Sequence, residues 1–127
     1  MKPSNFATID DIFKEQKMEK IIWNQTEFDD VKITKMYEND GTKEICITFA
    51  KNSAMQKHTA PGAISVQVLR GEIEFSTKEQ TITLGELDML TLPPRVEHAL
   101  VATKDSIVRL SLSKNDDVNR VFSVLKK

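Results

Sequence analysis

Two histidines, His58 and His98, are the only imidazole side chains of the sequence and its best candidates for chemistry. Imidazole ligates divalent transition metals and also donates or accepts a proton near neutral pH. His58 lies near the start of a stretch, 55–72, whose segment 63–69 is rich in β-branched residues and which ends in a glycine turn. His98 follows a pair of prolines much later in the chain. A shared site therefore requires a fold that brings two distant segments together.

The single cysteine, Cys46, lies in an alternating run of residues, 45–49. It cannot form a disulfide within the chain, and no general base lies beside it in the sequence. We interpret it as a small apolar strand residue rather than a nucleophile. The sequence also lacks a Ser-His-Asp order, a glycine-rich phosphate loop, a CxxC pair and a helical HExxH motif, which removes the chemistries that those motifs carry.

Period-two alternation of apolar and polar residues predicts that most of the chain is β-structure. Asn39-Asp40-Gly41 supplies the turn chemistry of a hairpin between the first two predicted strands. The predicted strands are 31–38, 43–50, 63–69, 72–77, 81–84, 87–92, 98–102 and 106–113. All are short and no helical crossover separates them, so the sequence predicts an all-β sandwich or small barrel.

Helical periodicity is confined to the two ends of the sequence. Near the N-terminus, Ile9, Ile12 and Phe13 share one face of a predicted short helix. Near the C-terminus, apolar residues at i, i+3, i+4 and i+7 predict a helix over about 116–126. The apolar segment 21–23 is interpreted as a short strand or a docking segment.

Length and charge limit the functions to be considered. At 127 residues the chain is expected to form one domain, 1–127, with a barrel over about 31–113. Eighteen basic and nineteen acidic residues nearly cancel, so nucleic acid is not an expected partner. No apolar stretch approaches the roughly 20 residues of a membrane span, and the N-terminus lacks the apolar core of a signal peptide. We therefore expect no membrane partner and a cytoplasmic location.

Two stretches resemble the paired sequence motifs of the cupins, a superfamily of small jelly-roll barrels. The residues at the first motif, G-x5-H-x-H-x3,4-E-x6-G, are Gln56, His58, Ile64 and Gly71. The residues at the second motif, G-x5,7-P-x-G-x2-H-x3-N, are Gly85, Pro93, Arg95, His98 and Ala102. The order and separation of the two matches agree with the family. The resemblance implies an all-β, single-domain cupin jelly-roll barrel with short N- and C-terminal helices.

In metal-binding cupins, two histidines and a glutamate of the first motif and one histidine of the second hold a divalent ion. By this resemblance His58 and His98 keep two of the ligand positions, whereas Gln56 replaces the other histidine. Ile64 has the place of the glutamate, and no carboxylate lies within 59–67 in any other register. The candidate metal ligands are therefore His58, His98 and Gln56, and the implied cofactor is a weakly held divalent transition metal. The alternative is that both histidines are hydrogen-bonded residues that line a polar spot in the barrel.

Side chains alternate across a strand, which predicts the residues that face the barrel interior. If His98 faces inward, so does Leu100, and if Ile64 faces inward, so does Val66. The candidate ligand pocket is then lined by Gln56, His58, Ile64, Val66, His98 and Leu100. This mostly apolar set is typical of a small-molecule site and equally of a packed core.

Two residues beside the motifs have open interpretations. Met55 is an adaptable wall of the pocket or a core filler. Arg95 stands where the second motif has glycine, and it is either a solvated loop charge or an anion contact near the pocket mouth.

Two functions follow from the resemblance. The first is a small-molecule-binding or regulatory cupin with weak or absent metal binding, because half of the ligand set is missing. The alternative is a metal-dependent cupin enzyme, of dioxygenase or isomerase type, that uses His58 and His98. Whether the chain is an enzyme stays open at this point. The resemblance also implies pairing of barrels through their sheets, so the expected partners are a small-molecule ligand in the barrel and a second copy in a homodimer.

Overall fold

A computed structural model describes residues 18–114, which fold as two facing antiparallel β-sheets. The strands are β1 (Val31–Glu38), β2 (Thr42–Phe49), β3 (Ala54–His58), β4 (Ile64–Arg70), β5 (Ile73–Ser76), β6 (Thr81–Leu84), β7 (Met89–Leu92), β8 (His98–Ala102) and β9 (Ser106–Ser113). One sheet has the order β1-β2-β9-β4-β7, and the other has the order β3-β8-β5-β6. This arrangement confirms the predicted all-β jelly roll.

The strand that was not predicted from the sequence is β3. Only one of its five residues, Met55, is buried, and its neighbours Gln56 and Lys57 are polar and exposed. An edge strand of this kind lacks the apolar alternation that reveals the other strands. Residues 21–23 form no strand, and both predicted terminal helices lie outside the described residues. Within 18–114 no helix has the length and apolar character needed to cross a membrane.

The core lies between the sheets because alternate residues of the facing strands are apolar. Burial alternates along β4, β8 and β9, as period-two patterning predicts. The largest fully buried apolar side chains are Phe49, Ile45, Ile47, Ile73, Leu112, Val66, Val68 and Val108. Full burial of each such side chain contributes roughly 1.5–3 kcal/mol. The inner face of the sandwich is therefore the main source of stability and, at one end, the wall of a cavity.

The opposite end of the sandwich is closed by a tight contact between two turns. Gly71, at the β4–β5 turn, has a φ of 93°, which favours glycine. It packs directly against Ser106, whose hydroxyl accepts a hydrogen bond from the Glu72 amide at 2.9 Å and donates one to the Lys104 carbonyl at 2.7 Å. The side chain of Thr103 donates to the Glu72 carboxylate at 2.6 Å. These bonds join the β4–β5 turn to the β8–β9 turn.

We predict that Gly71→Ala destabilises the fold by about 2–4 kcal/mol. A Cβ at this position would overlap the Asp105 carbonyl oxygen and the Ser106 hydroxyl, and the positive φ would add strain. Urea denaturation followed by circular dichroism measures the change. The control is Gly41→Ala, because the nearest atom to its added Cβ is 3.8 Å away and little loss is expected there. Equal stability losses in the two variants would contradict this account.

Candidate functional site

A cavity opens between the two sheets where β3 ends and where β4 and β8 begin. It contains about 490 Å³ of space between protein atoms, solvent at its mouth included, and about 30 Å³ of this is open to the centre of a water molecule. Its lining residues are Ile47, Met55, His58, Thr59, Ala60, Ile64, Val66, Phe75, His98, Leu100, Val108, Leu110 and Leu112. That volume has room for roughly one or two waters, so a larger ligand would need the lining side chains to move.

The two histidines meet at this cavity. The antiparallel register of β3 and β8 places His58 opposite His98, and their ring centroids are 4.2 Å apart at an interplanar angle of 61°. His98 is 3% exposed, whereas His58 is half-buried and nearer to solvent. The sequence separates these residues widely, and strand pairing makes them neighbours.

A bulge in β3 determines which of its side chains face the cavity. Met55 pairs with Leu100 and His58 pairs with His98, so three residue steps on β3 match two on β8. An extra residue on one strand shifts the later side chains to the opposite face. Met55 and His58 therefore both line the cavity, although strict alternation would place them on opposite faces of the strand.

Gln56, predicted as a pocket residue and as a third metal ligand, lies outside the cavity. Its side chain is exposed and borders a shallow depression on the outer face of the four-stranded sheet, together with Lys57 and Glu74. The prediction rested on the place of Gln56 at the other histidine of the first motif. The bulge between Met55 and His58 means that Gln56 and His58, although two residues apart, do not share a face of the strand. Only the main-chain carbonyl of Gln56 contributes, as the hydrogen-bond acceptor of His58.

Backbone carbonyls orient both imidazoles. Nδ1 of His58 is 2.7 Å from the Gln56 carbonyl oxygen, and Nδ1 of His98 is 2.8 Å from the Val96 carbonyl oxygen. A carbonyl oxygen only accepts, so Nδ1 carries the proton in both rings, and in the neutral ring Nε2 is the nitrogen with the lone pair. Phe75 stacks on the His98 ring, with centroids 5.2 Å apart and an interplanar angle of 10°. The His98 ring is thereby held from both its edge and its face.

The side chains present do not fit a metal centre with three protein ligands. In the part of the chain that the structure describes, no three His, Cys, Asp or Glu side chains converge closely enough to hold an ion. Ile64, at the glutamate position, is 5% exposed and belongs to the apolar core. His58 and His98 would supply two imidazoles, one fewer than the usual catalytic set.

Ile64, Val66 and Leu100 line the cavity together with the histidine pair. Other wall residues were not expected from the motifs, because they lie on strands that the motifs do not include. These are Ile47 on β2, Phe75 on β5, and Val108, Leu110 and Leu112 on β9. The period-two burial of β9 indicates that these residues face inward, but sequence alone does not place β9 beside β4.

Two loops form the mouth of the cavity. The Arg95 amide donates a 2.8 Å hydrogen bond to the Ala60 carbonyl, which joins the loop after β3 to the loop before β8. Arg95 has a φ of 66°, in the left-handed region where glycine is preferred. The backbone thus keeps the conformation expected for the glycine of the second motif, and the Arg95 side chain is exposed. Ala60 lines the cavity beneath this contact and is 8% exposed.

A second polar cluster, not predicted, lies on the outer face of the five-stranded sheet. The Glu44 carboxylate accepts hydrogen bonds from Arg109 Nε and Ser111 Oγ, both at 2.8 Å. Ile21 and Trp23 border the same surface, so the apolar segment 21–23 packs beside the sheet rather than pairing with it. Glu44 and Ser111 are cross-strand partners on β2 and β9, and the cluster reinforces that pairing.

Cys46 lies on β2 and is 1% exposed. Burial raises the pKa of its thiol from 9.0 to about 11, because the thiolate would lose hydration. Both the low exposure and the raised pKa agree with its interpretation as an unreactive strand residue.

We predict that Cys46 reacts with a disulfide reagent such as DTNB only when the protein unfolds. At pH 8 the higher pKa lowers the thiolate fraction by about 100-fold, and the reagent must also reach a buried sulfur. The measurement compares reaction rates in buffer and in guanidinium chloride, with Cys46→Ala as the blank, since the sequence has one cysteine. Rapid stoichiometric labelling of the folded protein would show that this burial is wrong.

Solved structures similar to this chain include several that are described as cupins. A cupin superfamily protein of Desulfitobacterium hafniense matches with a TM-score of 0.65 and 18% identity, over 71% of this chain and 83% of that one. An RmlC-like cupin of Shewanella frigidimarina matches with a TM-score of 0.65 and 22% identity, over 76% of this chain and 92% of that one. KdgF of Halomonas sp. matches with a TM-score of 0.68 and 18% identity, over 80% of this chain and 97% of that one. The two-sheet fold of this chain is thus the fold of these proteins.

The amino-acid sequence of this region also matches a family model, which assigns the chain to a family. Residues 44–113 match the model of the AraC-like ligand binding domain, which is more than half of the chain. The chain belongs to this family of ligand-binding cupins. No curated protein matches the sequence.

Proposed function

We propose that this chain binds a small molecule in the cavity between its sheets, and that binding rather than catalysis is its role. The observation that carries the proposal is the distribution of polarity around the cavity. Its polar lining side chains, His58, Thr59 and His98, lie together at one end, and the other ten lining residues are apolar. Concave apolar walls with a few convergent polar groups are the usual form of a small-molecule site.

Each part of the wall has a separate physical task in this proposal. The apolar walls supply affinity, at about 25 cal/mol per Å² of apolar surface removed from water. The histidine pair supplies orientation, because its Nδ1 atoms are held by main-chain carbonyls and its rings are packed in place. Prior ordering of both rings lowers the entropy lost on binding.

The family match supports a binding role, since its model describes a ligand-binding domain. A regulatory use of the bound ligand agrees with that description. A homodimer and a cytoplasmic location remain predictions from the sequence, and so does weak or absent metal binding.

We predict that Ala60→Leu weakens ligand binding while Ala63→Leu does not. Ala60 lines the cavity, so three added carbon atoms would fill its mouth, whereas Ala63 is exposed in the same loop and outside the lining. Methyl NMR against a library of small molecules detects binding as saturable shifts of Val66, Val108 and Leu110. We expect affinity to fall by about tenfold or more in Ala60→Leu only.

Thermal unfolding of both variants controls for loss of fold. The proposal is wrong if no molecule shifts the cavity methyl groups, or if ligands bind the folded Ala60→Leu variant as they bind the unmodified protein.

We also predict that protein purified without a tag or chelator contains much less than one equivalent of transition metal. His58 and His98 converge, but the other two family ligand positions are an exposed glutamine and a buried isoleucine. Elemental mass spectrometry measures the content, and His58→Ala and His98→Ala identify any contribution of the pair. One tightly held equivalent, lost in both variants, would instead favour the metal-dependent enzyme.

A further inference from the structure

A groove on the outer face of the five-stranded sheet has the composition of a separate binding site. It lies between that sheet and the apolar segment 21–23, and we call it the outer groove. Its lining residues are Ile21, Trp23, Tyr37, Thr42, Glu44 and Arg109. We propose that the outer groove binds a small carboxylate that carries a single aromatic ring, with the carboxylate on Arg109 and the ring against Trp23 and Tyr37.

A bulge in β1 brings an aromatic ring to the floor of the outer groove. Lys35 pairs with Ile45 and Tyr37 pairs with Glu44, so two residue steps on β1 match one on β2. The extra residue places Tyr37 on the opposite face of the sheet from Lys35, beside its cross-strand partner Glu44. Glu44 pairs in turn with Ser111 on β9. The floor is therefore a row of neighbouring side chains on three adjacent strands.

Apolar side chains of the segment 21–23 form the facing wall. Ile21 and Trp23 both line the outer groove, and Ile21 is 38% exposed. The groove thus combines an indole from this segment with the phenol ring of Tyr37 from the sheet. Aromatic side chains offer large apolar surfaces against which a ligand ring packs in stacked or edge-to-face geometry. These two rings favour a ligand with an aromatic body.

The guanidinium of Arg109 is held in place by one edge. Its Nε donates to Glu44 Oε1 at 2.8 Å, and the Ser111 hydroxyl donates to the two oxygens of the same carboxylate at 2.8 and 3.0 Å. Among residues 18–114, no atom accepts a hydrogen bond from the two Nη groups of Arg109. A guanidinium edge of this kind matches the two oxygens of a carboxylate.

Exposure and hydrogen-bonding capacity favour an anion over a cation. The Arg109 side chain is 42% exposed and that of Glu44 is 17% exposed, so a ligand meets the positive member of the pair first. The oxygens of Glu44 already accept from Arg109 and Ser111, and the indole N–H of Trp23 can only donate. Glu44 also reduces the attraction that Arg109 exerts on an anion, because the pair is neutral overall. Binding is therefore expected to be of modest affinity and to weaken as salt is added.

The volume of the outer groove accommodates such a ligand without movement of its walls. It contains about 670 Å³ of space between protein atoms, open solvent included, and about 350 Å³ of this is open to the centre of a water molecule. Small-molecule sites typically have volumes of roughly 300–1,000 Å³. One aromatic ring with a short acid side chain therefore fits the groove as it stands.

Nuclear magnetic resonance at pH 7 tests the ligand class with matched probes. Trp23 is the one tryptophan of the sequence, so a single indole N–H resonance reports on the outer groove. Phenylacetate has the ring and the charge, phenylacetamide is its neutral counterpart, acetate lacks the ring, and phenethylamine is cationic. We expect phenylacetate to shift this resonance saturably and to bind about 3- to 10-fold more tightly than each of the other three probes. Added salt should reduce this preference.

Variants locate the carboxylate contact. Arg109→Gln should reduce the ratio of phenylacetate to phenylacetamide affinity towards one, whereas Arg70→Gln, exposed at the end of β4 and outside the groove lining, should leave it unchanged. Glu44→Gln keeps an acceptor for Arg109 Nε and removes the competing negative charge. It should raise the affinity for phenylacetate by about 2- to 5-fold. Circular dichroism confirms folding, and Glu44→Gln keeps the test decisive if Arg109→Gln does not fold.

The outcomes separate this inference from the proposed function. An indole resonance that phenylacetate does not shift, equal affinities for phenylacetate and phenylacetamide, or weaker binding of phenylacetate to Glu44→Gln would overturn the inference. Tighter binding of phenethylamine than of phenylacetate would also overturn it, in favour of a cation site. Ala60→Leu should leave the response of Trp23 to phenylacetate unchanged, because Ala60 lines the inner cavity and not the outer groove. Failure at either site thus leaves the other proposal standing.

Discussion

The bulge in β3 is the constraint on which the candidate site depends. Because three residue steps on β3 match two on β8, His58 faces the same interior as Met55 and lies across from His98. With regular alternation from Met55, the side chain of His58 would face outward and that of Lys57 would face the cavity. One extra residue thus produces the imidazole pair, whereas Gln56 faces outward in either case, because it is next to the inward Met55. The bulge also leaves the Gln56 carbonyl within 2.7 Å of His58 Nδ1, where it fixes the ring.

The cavity walls are also the core of the fold. Val66, Val108 and Leu112 are each at most 2% exposed, and they hold the sheets together while bordering the space for a ligand. The closed end, around Gly71 and Ser106, is held by hydrogen bonds between turns, whereas the open end has two loops joined by one described backbone contact between Arg95 and Ala60. Opening the closed end would break several bonds and a tightly packed glycine contact, so the proposed ligand would enter at the open end.

Most of the fold could be predicted from the sequence, because alternation and turn residues act locally. The hairpin of β1 and β2 and the strands β6, β8 and β9 follow from period-two patterns and from residues such as Asn39 and Gly41. β3 could not be predicted in this way, since it is a short edge strand with one buried residue. The cupin motifs indicated that His58 and His98 meet, but not the position of Gln56, because a bulge depends on the pairing of two distant segments. The walls from β2 and β9 were missed for the same reason: sheet order is a property of the whole chain.

The same residues that leave two cupin ligand positions without a metal-binding side chain also make the cavity wall apolar. Isoleucine at position 64 contributes wall surface where a carboxylate would contribute charge, and Gln56 contributes only its backbone. In the function proposed here, such a site orients a bound molecule that has one polar end. This is the central claim of the account: the jelly roll retains the cupin histidine pair as the polar end of an apolar binding cavity.

Intermolecular nuclear Overhauser effects between the protein and a small molecule that shifts the cavity methyl groups test that claim most directly. The account predicts contacts from the apolar protons of that molecule to the methyl groups of Val66, Val108 and Leu110, with its polar end nearest to His58 and His98. Contacts confined to outward residues such as Val101, or a reversed orientation with the polar end against β9, would contradict it.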